Sequence, residues 1–133
     1  MLSQNEIDFF RTNGWLKVQP FDAAYVEEIV HMVNEVQAVE GDASWLNHFE
    51  MTDHGPKICR TENFVPFHKG LRDLLTTGVL PEMVGDLLGE PVFLYKEKVN
   101  YKLAGGAGFR PHQDAPAYPF IQKSISVMIA VDP

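Results

Sequence analysis

Apolar residues follow a helical period in the first third of the chain and a strand period toward its end. Ser3 is followed three residues later by Glu6, a capping-box pair. Ile7 and Phe10 then share one side of a short helix that Gly14 stops. "WLKVQPF" reads as a short strand or extended piece. Asp22 is placed to cap a longer helix, in which Val26, Ile29, Val30, Val33 and Val36 keep helical spacing up to Gly41 while Glu27, Glu28 and Glu35 occupy the wet side. From Gly41 to Lys57, "GDASWLNHFEMTDHGPK" has no stable period and predicts a long loop or lid. "ICRTENF" follows as a short strand. Pro66 introduces a helix through "FHKGLRDLLTT", and Pro81 opens another that ends at Gly89. In "PVFLYKEKVNYKLA" the alternation sets Phe93, Tyr95, Val99 and Tyr101 on one face and Lys96, Lys98, Asn100 and Lys102 on the other, a strand with one basic face. After the turn "AGGAG", the segment "SISVMIAVDP" alternates as a strand with Ile125, Val127, Ile129 and Val131 together. Helices first and strands later predict an α+β domain.

A length of 133 residues corresponds to one domain, residues 1–133. With 45% hydrophobic and 22% charged residues and no apolar run long enough to span a bilayer, the composition is that of a soluble globular protein without a membrane partner. "MLSQNEIDFF" lacks the basic and apolar regions of a signal peptide, and the single Cys59 has no internal partner, so a cytoplasmic setting is expected. Lys and Arg number 11 against 18 Asp and Glu, a formal charge of −7 with no basic cluster, which argues against nucleic acid as a partner.

Local chemistry concentrates in "GFRPHQDAPAYPF". His112 and Asp114 stand two residues apart on what reads as extended backbone, so an imidazole and a carboxylate point to the same side. Two readings are open: the pair supplies two ligands of a 2-His-1-carboxylate metal site, or it is a hydrogen bond within a surface loop. Asn100, Lys102 and Lys98, on the strand that leads into the motif, could line a cavity and meet carboxylates, or could guard an edge strand against aggregation. We expect Asn100 and Lys102 to face inward and Lys96 outward. Gly105, Gly106 and Gly108 read as a turn, His31 and His68 as structural, and Cys59 as a small buried residue. Trp45, His48, Phe49 and His54 could close over a substrate or dock onto the nearest core.

"NYKLAGGAGFRPHQDAPAYPF", with "ICRTENF", the "LLG-PV-LY" pattern and the opening "EIDFFRTNGWLKV", resembles the phytanoyl-CoA dioxygenase family of non-haem Fe(II), 2-oxoglutarate-dependent oxygenases, from about residue 4 to residue 132. The resemblance implies a double-stranded β-helix, the cupin-like jelly roll, flanked by N-terminal helices. It implies that His112 and Asp114 bind iron. It also implies that a basic residue on the strand before "NF" contacts 2-oxoglutarate; here that is Arg60, whose alternative is a solvated surface arginine. Asn100 and Lys102 join Arg60 as expected contacts of the co-substrate. The implied reaction consumes O2 and 2-oxoglutarate, releases succinate and CO2, and hydroxylates an aliphatic C–H of a small-molecule substrate. Asp114 argues against the halogenating variant, in which a small residue replaces the carboxylate.

The family supplies its second iron-binding His, and an Arg for 2-oxoglutarate, from beyond the HQD motif, whereas every other His of this sequence precedes His112. A jelly roll closes with about eight strands, and roughly half that number is visible here. The chain is therefore expected to be the N-terminal part of an Fe(II)/2-oxoglutarate dioxygenase domain with an incomplete jelly roll, silent in catalysis on its own. Two alternatives remain for the third ligand: recruitment of His48, His54 or His68, or completion by a second copy through strand exchange in a homo-oligomer. The rival function is a non-catalytic module that binds a ligand or partner on a degenerate or truncated β-helix. The sequence leaves the substrate open among acyl-CoA thioesters, amino acids, phosphonates and secondary metabolites.

Overall fold

Ser3 begins the first helix by the reciprocal bonds its sequence predicts: its Oγ accepts the Glu6 N–H at 3.4 Å while its own N–H donates to Glu6 Oε2 at 2.8 Å. The computed structural model describes residues 1–38, 44–106 and 110–131. Helix α1 (Gln4–Asn13) ends at Gly14, whose φ of 77° places it in the left-handed region that favours glycine. Helix α2 (Ala23–Ala38) is capped by Asp22, whose Oδ1 accepts the Tyr25 N–H at 2.8 Å. Helix α3 (Lys69–Thr76) is capped by His68: its Nδ1 accepts the Leu71 N–H at 3.1 Å, and its Nε2 lies 3.1 Å from Glu35 Oε2 on α2. Helix α4 (Val79–Leu88) stops at Gly89. No helix among the described residues is long and apolar enough to cross a membrane.

The architecture is α+β, with a small open antiparallel sheet. Strands β1 (Leu46–Thr52), β2 (Gly55–Glu62) and β3 (Lys98–Asn100) pair in the order β1-β2-β3. Directly opposed residues in such a ladder share a face. Thr61 opposes Asn47 on one side and Val99 on the other, and this face turns toward the helices. Val99 packs there against a core of Ile29, Val36, Phe64, Leu71 and Leu74, joined by Ile129 and Val131 from the end of the chain. Thr61 is fully buried; its hydroxyl donates to Asn47 Oδ1 at 2.7 Å, so the Tyr101 hydroxyl, 3.1 Å away, donates to Thr61. The opposite face carries the row His48, Arg60, Asn100.

Three expectations are corrected. The loop or lid predicted over Gly41–Lys57 is, in its described part, the β1–β2 hairpin. Its tight connection is Asp53-His54, with Gly55 at φ 94° and the Thr52 hydroxyl donating to the Gly55 carbonyl at 2.8 Å. Burial could not mark these strands, because Leu46, Phe49 and Met51 remain 56, 62 and 79% exposed and a bulge at His48/Phe49 interrupts the alternation. The strand expected over "PVFLYKEKVNYKLA" shrinks to Lys98–Asn100, extended by one bond from the Tyr101 N–H to the Cys59 carbonyl at 3.0 Å, while Phe93 is 88% exposed. Residues 124–131 form no ladder, although Ile129 and Val131 reach the core. Alternation reports which side chains share a face; it does not supply the partner strand that a ladder needs.

Candidate functional site

Chain geometry around the HQD motif is set on both sides. Upstream, Lys57 of the hairpin donates from Nζ to the Ala104 carbonyl at 2.8 Å, and the turn closes through Gly106 N–H to Leu103 O at 3.0 Å. Glu50, opposite Lys57 on β1, crowds the same turn: a Cβ on Gly106 would meet its Oε1 at 2.5 Å. Downstream, Asp114 O accepts the Ala117 N–H at 2.9 Å in a single 3-10 turn, Ala115–Ala117. Tyr118 and Phe120 then stack edgewise on Tyr95, with ring centroids 5.4 and 6.0 Å apart, anchoring the segment to the chain that enters β3.

Between these anchors His112 and Asp114 meet, with Nε2 and Oδ1 3.3 Å apart and both side chains open to a ligand, 60 and 58% exposed. His112 Nδ1 lies 2.8 Å from the Arg110 carbonyl, which can only accept, so Nδ1 carries the proton. In the neutral ring Nε2 then holds a lone pair 3.3 Å from a carboxylate oxygen, without the alignment of a hydrogen bond. Two lone pairs at that distance repel unless a cation, a proton or a metal ion, lies between them. Donors about 2.1 Å from an octahedral ion and at right angles stand about 3.0 Å apart, close to this separation. A ring whose second nitrogen is fixed by a backbone carbonyl is also the usual state of a metal-bound histidine. The donor set fits a divalent metal.

No group of three or more His, Cys, Asp or Glu side chains converges among the described residues. Of the histidines considered as a third ligand, His68 caps α3, His54 sits in the hairpin turn, and His48 points to Glu62, with Nε2 and Oε2 3.4 Å apart.

Arg60 and Asn100, expected to share a cavity wall, oppose each other directly across β2 and β3, and Lys102 follows two residues on; the expectation that Asn100 and Lys102 face inward is corrected, since both are exposed on this open sheet. Arg60 is not a solvated surface arginine. It is 28% exposed, and its Nε lies 3.0 Å from Glu62 Oε1, which Lys96 Nζ also approaches to 3.2 Å. The expectation that Lys96 faces away is corrected: its even position keeps it with Lys98 and Asn100, and Glu62 draws its ammonium to Arg60. Burial by itself would raise the Glu62 carboxyl, yet the Lys96 ammonium, the Arg60 guanidinium and His48 outweigh it and hold the group below the ordinary glutamate range. Arg60 Nε, His48 Nε2 and Glu62 Oε1 are shielded from solvent and close in distance, but too misaligned to form hydrogen bonds. Sequence reading missed Glu62 as the hub; the signal was Arg60 and Glu62 two apart on one strand face.

The chain is 44% identical over 133 residues to a methylphosphonate hydroxylase of Gimesia maris, an alignment covering 98% of this chain and 51% of the relative. It is 38% identical to a 2-aminoethylphosphonate dioxygenase of Uncultured bacterium HF130_AEPn_1, over 98% of this chain and 52% of that protein. With dioxygenase lolE1 of Epichloe uncinata the identity is 27%, over 98% of this chain and 53% of the relative. No protein-family model matches the chain, and no solved structure does. The chain spans about half the length of these curated relatives, and what it resembles in all three is a hydroxylase or dioxygenase.

Proposed function

We propose that this chain is part of an Fe(II)- and 2-oxoglutarate-dependent hydroxylase of the phytanoyl-CoA dioxygenase family, built on a cupin-like barrel to which the open sheet contributes. The observation that carries the reading is the His112–Asp114 pair, with Nδ1 committed to Arg110 O and Nε2 3.3 Å from a carboxylate oxygen. His112 Nε2 and Asp114 Oδ1 would hold the metal. Bound there, Fe(II) would supply the activation of O2 that is coupled to decarboxylation of 2-oxoglutarate. Asn100 and Lys102, on the sheet face turned from the helices, would meet the anionic co-substrate. The Tyr95, Tyr118 and Phe120 cluster would keep the HQD segment in place and limit the approach of water. The names of two relatives support a small phosphonate as primary substrate, with hydroxylation at an aliphatic carbon.

Titration of Mn(II), a spectroscopic substitute for Fe(II), into the wild-type chain and into His112→Ala tests the reading. Binding that weakens at least tenfold in the variant supports it. Equal affinities would remove the metal pair and the proposed function with it.

A further inference from the structure

Positive charge gathers on one face of the sheet in an otherwise acidic chain. Arg60 and Lys96 contact Glu62, and Lys98 is its direct partner across β2 and β3, so three cations share one sheet face with one carboxylate in a chain of net charge −7. His48 adds a fourth donor from β1. Three of the polar atoms at the centre lack an aligned partner, as groups arranged for a further ligand would. Glu62 engages Arg60 through Nε, an edge that an end-on bidentate contact through the two terminal amino groups does not use.

An incoming carboxylate offers Arg60 and Lys96 the same single charge that Glu62 already presents at high effective concentration on the same strand, so exchange gains little. A tetrahedral dianion brings twice the charge and a third acceptor oxygen, and its charge matches the local excess of three cations over one anion. Resting on the proposed function above, we infer that the Arg60, Lys96, Lys98 and His48 cluster recognises the phosphonate dianion of the primary substrate, and that Glu62 makes it selective against single carboxylates. Glu62 is a specificity-determining residue: it occupies the site until a more highly charged group displaces it. Asn100 and Lys102, farther along the same face, are left for the carboxylate of 2-oxoglutarate.

The test is a metal-free titration of the 133-residue chain, following methylphosphonate and inorganic phosphate by 31P NMR and acetate and 2-oxoglutarate by calorimetry. Methylphosphonate and inorganic phosphate are each expected to bind at least tenfold more tightly than acetate. Lys96→Met, at a side chain 46% exposed and so tolerated by the fold, should weaken methylphosphonate binding by about 5- to 20-fold. Arg60→Lys should restore part of what Arg60→Ala loses. Glu62→Gln should tighten acetate binding by about 3- to 10-fold and narrow the preference for phosphonate. Unchanged binding in Lys96→Met, or equal loss of acetate and methylphosphonate in Glu62→Gln, would overturn the inference. Inorganic phosphate binding at least tenfold more tightly than methylphosphonate would overturn the phosphonate assignment, and a parallel loss of 2-oxoglutarate in Lys96→Met would return the cluster to the co-substrate. Because no metal is present, failure here leaves the metal pair standing, and failure of the Mn(II) titration leaves this result standing.

Discussion

Arg60 and Glu62 lie two residues apart on β2 with Nε and Oε1 separated by 3.0 Å, on the sheet face turned away from the helices. Glu62 is the more enclosed, with a side chain 13% exposed, and Lys96 and His48 complete its surroundings. The cations that a ligand would use are thus held in place before it arrives, by a carboxylate that is itself held ionised.

That ionisation sets a pH dependence. The Glu62 carboxyl is lower in the folded chain than in the unfolded one, so its stabilising contribution is present above the unfolded value, about 4.3, and is lost as pH falls through the folded value. Urea midpoints measured from pH 7 to pH 3 should fall more steeply in wild type than in Glu62→Gln. Parallel curves would mean that the Glu62 carboxylate contributes nothing on folding.

Asp114→Asn retains the shape of the side chain and removes its charge. Metal affinity should fall by about 10- to 100-fold, while the thermal midpoint stays within a degree or two of wild type, because the 58% exposed side chain stabilises no core. A large drop in the midpoint would mark Asp114 as a structural residue.

Thr61→Val should destabilise the chain by about 1 to 3 kcal/mol, since it strands Asn47 Oδ1 and the half-buried Tyr101 hydroxyl without their partner while conserving volume. Burial raises the Tyr101 phenol above its ordinary value. Chemical denaturation of wild type and variant checks the cost, and coincident midpoints would mean that the two bonds contribute nothing.

Ser3→Ala removes the capping box of a helix with no buried residue. The cost, about 1 kcal/mol, should fall on α1 alone. Amide exchange over residues 4–13 should quicken while the global unfolding midpoint hardly moves. Equal loss of protection in α2 would show that α1 is coupled to the core.

What the sequence determined by itself was local. Helix ends could be read from Ser3, Glu6, Asp22, Gly14 and Gly89 because caps satisfy backbone groups within a few residues of themselves. The apolar stripe of α2 likewise foretold burial of Ile29 and Val36. The HQD pair was legible because a two-residue spacing on extended backbone brings two side chains together whatever surrounds them. Tertiary structure decided the rest. The β1–β2 hairpin was hidden because its strands expose apolar groups and contain a bulge, so neither face announces itself. Which cations gather around Glu62 was decided by the β2–β3 register, which sets Asn100 against Arg60 and Lys98 against Glu62 across a separation of some 40 residues. Residues so far apart in sequence meet only when backbone hydrogen bonds fix the register, and no spacing along the chain encodes that meeting.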